Sequence, residues 1–227
     1  MRGGRFSAPP APEAHALGRS LHFDARLAGQ DVRAGIAHVG ALQDAGLLSA
    51  ADAVLLEKAL GEVGREIDEG GFAFNAEDED VHSAVERAVT ERLGDLGERL
   101  HTARSRNDLV VTDLRIWLLE AARRIDRLLM ELAKALIDRA RATESTVMPG
   151  TTHGRFAQPV TLGHHLLAHV WALLRDLERL DQWAGVFLDF LFRVRIIGED
   201  LIVHFEQLVG AELLLHRCGQ QSQGLVL

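Results

Sequence analysis

The sequence predicts an all-α protein, and three observations carry that reading. Apolar residues recur at steps of three and four along most of the chain. Alanine, leucine and arginine, all good helix formers, dominate the composition. No run of alternating β-branched residues marks a strand.

The elements follow in order. Residues Met1 to about Ser20 read as an extended, proline-bearing arm. From Asp31 to Ala45, Val32, Ile36, Val39 and Leu42 form a helical stripe that Gly46 closes. Ser49 begins a second helix, carried by Val54, Leu55, Leu60, Val63 and Ile67 as far as Gly70-Gly71. "FAFNAEDED" is a connector, and a third helix covers Asp80 to Leu93. The strongest run comes next. Val110, Leu114, Trp117, Ala121, Ile125, Leu128, Leu132 and Leu136 make one unbroken stripe, so Arg106 to about Ala142 is predicted as a single helix roughly 50 Å long. A helix of that length belongs in a bundle with equally long neighbours, often from other subunits. "VMPGTTHGRFAQPV" reads as a loop on its Pro149-Gly150 turn signal. A further helix runs from Leu162 through Leu166, Val170, Leu173, Leu177 and Leu180, and Phe187 to Leu214 is again apolar and helix-like.

Composition narrows the function classes. The 227 residues can bury a substantial core, and the formal net charge of −8 rules out a broad basic footprint, so no nucleic-acid partner is expected. A single cysteine, Cys218, excludes an internal disulfide framework and fits a reducing compartment. The N-terminal stretch lacks the apolar core of a secretory signal, and Asp189 interrupts the greasiest segment, "VFLDFLFRV", which is too short to span a bilayer. A cytoplasmic protein without a membrane partner is expected.

Two segments concentrate chemistry. In "HTARSRND" (101–108), Ser105 and Asp108 have the spacing of a capping box, which accounts for those two alone. His101, Thr102, Arg104, Arg106 and Asn107 remain, at a helix start whose free N–H groups and positive dipole end favour a carboxylate. A small dicarboxylic acid fits such a place. In "GTTHGRFAQP", Thr151, Thr152, His153 and Gln158 cluster on the connection between two long helices, and histidine is the side chain best suited to moving protons near neutrality. A lone loop histidine is nonetheless more often without a catalytic role. His165 and His169 share metal-ligand spacing but have no HExxH and no third ligand, "EDED" lacks the glycine and spacing of a calcium loop, and no phosphate loop is present. No metal and no cofactor are expected.

"MRGGRFSAPP", "GRSLHFDARLAGQDVRAGIAHVGALQDAGLL", "EDEDVHSAVERAV", "HTARSRNDLVVTDLRIWL" and "MPGTTHGRFAQPVTLGHHLLAHVWALLRDLERL" resemble, in this order, the opening of the argininosuccinate lyase family within the fumarase/aspartase superfamily. The resemblance runs from Met1 to about Asp181. It implies a small N-terminal helical domain (residues 1–100), long helices of a central helical bundle (101–181) and a divergent helical tail (182–227). It also implies a homotetramer that cleaves argininosuccinate to arginine and fumarate, each site being assembled from three subunits. By the same resemblance His153 takes part in acid–base catalysis, and Ser20, Asn107 and Thr152 bind substrate. Ser105 and Arg106 join that substrate-binding set, with His82 and Gln158 as its supporting residues.

The family's pattern breaks after Asp181. A loop resembling GSSxMPxKxN supplies the family's presumed catalytic serine, and nothing here matches it: the only serine beyond Asp181 is Ser222, in "GQQSQGLVL". Two readings therefore stand for this chain. One is an argininosuccinate lyase whose own activity is doubtful without that loop. The other is a catalytically silent structural or assembly protein of the same family. A superfamily lyase acting on adenylosuccinate, fumarate or aspartate is a third, disfavoured by the SRND segment.

Overall fold

The computed structural model describes residues 11–193, with side chains described as far as Val186. Eight α-helices and one β-hairpin follow one another: α1 (Pro12–Gly18), α2 (Leu21–Asp24), α3 (Ala28–Asp44), α4 (Ala50–Asp68), α5 (Val81–Leu93), α6 (Asp95–Glu98), α7 (Arg106–Ala142), β1 (Val147–Thr152), β2 (Arg155–Thr161) and α8 (Leu162–Arg193). Short 3₁₀ turns lie at Ala25–Leu27 and Arg99–His101. The chain divides within α7, after Trp117, into two compact units.

The first unit is built on α3, α4 and α5. Val32, Val39 and Leu42 of α3 meet Leu56, Leu60 and Val63 of α4 and Val85, Ala88 and Val89 of α5. Leu56, Leu60 and Val63 are fully buried, and each such side chain contributes about 1.5–3 kcal/mol of transfer free energy. Caps set the helix starts: Ser49 Oγ accepts from Asp52 N at 3.1 Å, and Asp80 and Ser83 form a reciprocal capping box on α5. The acidic connector folds back on that helix. Arg87 makes two 2.9 Å bonds to the Asp78 carboxylate, which holds the Asp78 carboxyl below its ordinary range although burial opposes the shift.

The second unit contains the rest of α7, the hairpin and α8. Gly163 lies so close to α7 that a Cβ there would stand 2.6 Å from the Ala140 carbonyl oxygen, so only glycine fits. Val170 and Leu177 of α8 and Ala133 and Ala140 of α7 are among its buried apolar residues.

The all-α reading holds, and α7 has the predicted bounds. Three details differ. The arm expected to be extended to Ser20 is helical from Pro12 to Gly18, because proline at the first helical position needs no N–H partner and its fixed φ suits the helix. The connection 147–161 is an antiparallel hairpin, not a loop. In α4, Val54 and Leu55 of the expected stripe are exposed while Ala53 and Leu56 are buried, since the contiguous run Val54-Leu55-Leu56 cannot face one side of a helix. The apolar segment 187–214 lies largely outside the described residues.

Candidate active site

In the first unit the turn before α5 gathers residues from three distant stretches. Ser20 N–H donates to the Glu79 carbonyl at 2.9 Å, and Ser20 Oγ donates to Asp24 at 2.5 Å. The same Asp24 carboxylate accepts from Val81 N at 3.1 Å, and Arg19 Nε donates to the Asp78 carbonyl at 3.1 Å. Residues 19–24 are thereby pinned to 78–81. From the other side, Arg106 reaches Asp80 at 3.2 Å and Glu86 at 3.7 Å. Ser20, Asp80 and Arg106 thus belong to one hydrogen-bonded assembly.

The start of α7 resolves the double reading of Ser105 and Asp108. Ser105 Oγ accepts from Asn107 N at 2.8 Å, and Asp108 accepts from Ser105 N at 3.0 Å. Both side chains therefore act as caps. The Asn107 side chain is exposed beside the free end of the helix, where an amide N–H and unpaired backbone donors can face an anion. The preceding backbone is held in place: Ala103 has φ +56°, and His38 Nε2 pairs with the Thr102 carbonyl at 2.9 Å. The Arg106 guanidinium is engaged by acidic neighbours, so its charge is largely balanced within the unit.

His82 has a different setting from the other candidates. It is buried, with Nδ1 2.9 Å from Asp31 and 3.3 Å from Asp113. Burial would lower its pKa, but the carboxylates of Asp113 and Asp31 outweigh that and raise it to about 9. Sequence reasoning missed Asp31 and Asp113. The sequence offered no clear signal: Asp113 shares the buried face of α7 with Leu109 and Ile116, whereas the stronger apolar stripe runs along the exposed side.

The second unit carries Thr152, His153 and Gln158. Thr152 pairs with Arg155 across a two-residue turn formed by His153 (φ +50°) and Gly154 (φ +72°). Two positive φ values are what a type I′ hairpin requires, and Gly154 adopts one without a steric penalty. His153, exposed, adopts the other less readily than glycine, although histidine is among the side chains that tolerate it best. A concavity of about 570 Å³ adjoins the hairpin, lined by Thr151, Thr152, Gln158, His164 and His165 among others. The expected residues therefore divide into two sets: Ser20, His82, Ser105, Arg106 and Asn107 in the first unit, and Thr152, His153 and Gln158 in the second.

A family model described as "Lyase" matches residues 4–221. The chain belongs to this lyase family. It is 48% identical over 182 residues to argininosuccinate lyase of Mycobacteroides abscessus, a match covering 80% of this chain and 38% of that protein. It is also 48% identical over 177 residues to argininosuccinate lyase of Symbiobacterium thermophilum, covering 78% of this chain and 38% of that one. The chain thus spans about 38% of the length of these relatives. The fold is that of a fumarate lyase:delta crystallin from Brucella melitensis bound to cobalt (TM-score 0.67, 19% identity, 91% of this chain and 49% of that one). It also matches an EDDS lyase in complex with formate (TM-score 0.63, 24% identity, 80% of this chain and 36% of that one). Among the described residues no helix is long and apolar enough to cross a membrane.

Proposed function

We propose that this chain carries two of the segments from which an argininosuccinate lyase site is built, and that the complete site eliminates arginine from argininosuccinate to leave fumarate. The observation that carries this reading is 48% identity to proteins named argininosuccinate lyase over four fifths of the chain. The local geometry supports it. Abstracting the proton beside a carboxylate builds negative charge on that carboxylate, so donors must be in place beforehand. Asn107 at the capped start of α7 and Thr152 beside the hairpin tip are such donors, and Ser20, whose hydroxyl is given to Asp24, would have to exchange that partner for substrate. The guanidine leaves readily only when protonated, and His153, exposed at that tip, is a suitable proton carrier. The chain contains no GSSxMPxKxN sequence, so the base that removes the proton must come from elsewhere.

Self-association belongs to the same proposal, as the homotetramer expected of the family. The stripe Val110, Leu114, Ile125, Leu128 and Leu132 lies exposed along α7 while Leu109, Ile116 and Leu119 are buried. A long apolar stripe facing water favours association.

The test is fumarate release from argininosuccinate, followed by absorbance. The chain alone should release none above background. Mixed with a separately expressed C-terminal half of a family member, it should turn over. Failure of every complementing half to restore turnover, with the mixed assembly shown to form, would contradict the proposal.

A further inference from the structure

The first unit buries a group of charges that caps and surface ion pairs do not explain. Asp31 on α3, His82 on α5 and Asp113 on α7 are 4%, 4% and 0% exposed. One oxygen or nitrogen from each lies within 4.8 Å of the others. His82 Nδ1 bonds to Asp31 at 2.9 Å and stands 3.3 Å from Asp113, yet neither Asp113 oxygen has a well-formed hydrogen bond. Arg104 completes the group: its Nε is buried without a partner, and it feels the charges of Asp31, Asp113, Glu86 and Asp108.

We infer that Asp31 and Asp113 are positioning residues that hold the His82 imidazolium between them, and that this clamp fixes the turn on which Ser20 and Arg106 are hung. The connectivity supports this. His82 follows directly on Val81, whose N–H holds Asp24 and so Ser20, and stands two residues after Asp80, which holds Arg106. The clamp joins α3, α5 and α7, so a shift in the first turn of α5 displaces both anchored stretches. Its significance for catalysis rests on the proposed lyase reading; the clamp itself does not.

The geometry supports a proton as the shared cation, since His82 Nδ1 lies 2.9 Å from Asp31 and 3.3 Å from Asp113. Among the three buried side chains two carboxyl groups face one imidazolium, and the Arg104 guanidinium, which also feels Glu86 and Asp108, offsets part of their negative charge. The same donors could hold a divalent ion, and zinc competition for the His82 ring nitrogen distinguishes the two. Electrostatics agree. Burial and the neighbouring Asp31 push the Asp113 carboxyl up to about 7, and His82 stays charged to about 9.

The test is NMR on the full chain labelled with nitrogen-15, following the His82 ring nitrogens and the amides of Ser20, Arg106 and Asn107 with pH. His82 should carry both ring protons at neutrality and titrate near pH 9, and the three amides should shift with the same midpoint. Asp113→Asn should lower that midpoint by a unit or more, roughly a tenfold change in proton affinity, and Asp31→Asn should do likewise. If both variants fail to fold, the titration of the unaltered chain still decides. A neutral His82 at pH 7, amides that stay still while His82 titrates, or zinc displacing its Nδ1 proton at neutral pH would each overturn the inference. This readout needs no turnover, so failure of the lyase proposal leaves it standing, and its own failure leaves that proposal untouched.

Discussion

Arg106 and Asp80, 26 residues apart, meet at 3.2 Å and join the start of α7 to the N-cap of α5. The Asp80 carboxylate serves both partners through the same oxygen, accepting from Ser83 N at 2.7 Å. Asp80→Ala should therefore destabilise the first unit by about 1–2 kcal/mol through loss of the cap, with a smaller contribution from the half-exposed ion pair. Chemical denaturation measures the loss. Asp80→Asn, which keeps the cap and weakens the pair, should recover most of it.

Stability should fall as pH rises. The folded-state pKa of His82 lies above its unfolded value, so its contribution is complete below about pH 6.5 and is lost as pH passes about 9. Asp113 acts in the same direction. Its raised pKa means that folding takes up a proton, so stability declines as pH rises from about 4 to about 7. A rise of two to three units for one buried group corresponds to roughly 3 kcal/mol. Denaturation midpoints at mildly acid and strongly alkaline pH should show this slope, and His82→Gln should flatten its alkaline limb.

Gly163→Ala should destabilise the second unit by about 1–3 kcal/mol, because the new methyl would meet the Ala140 carbonyl at 2.6 Å and backbone would have to move. Thermal unfolding of the variant checks this, and Gly61→Ala, a helical glycine with open space at its Cβ, is the control.

The exposed stripe of α7 predicts an associating chain. Leu128 and Leu132 are 58% and 49% exposed, and Leu128→Glu with Leu132→Glu should dissociate the assembly while leaving helical content unchanged. Sedimentation and circular dichroism read the two quantities. A clean monomer before substitution would contradict the proposal.

Much of this architecture is legible in the sequence because helices announce themselves through period and punctuation. The bounds of α7 follow from Ser105 and Asp108 at one end and the close of the apolar run at the other. Which face of α7 is buried is not legible: the obvious stripe through Leu114 and Leu128 is exposed, and the unit buries Leu109, Asp113 and Ile116 instead. An apolar face meant for another chain looks the same in sequence as one meant for the protein's own core. The hairpin is hidden for a different reason. Pro149, Gly150 and Pro159 break the alternation, and the register shifts between Pro149 and Thr151, so no strand pattern survives. Near the candidate site, the caps at Ser105 and Asp108 are readable locally, whereas the group of Asp31, His82 and Asp113 depends on three distant residues meeting in space.

The most direct test of the account is the effect of His153→Ala on fumarate release by this chain complemented with a family C-terminal half. The account predicts that the assembly forms as before and that kcat falls by a factor of about 10²–10⁴, the usual cost of losing a general acid or base. Turnover that persists undiminished in the His153→Ala assembly would contradict it.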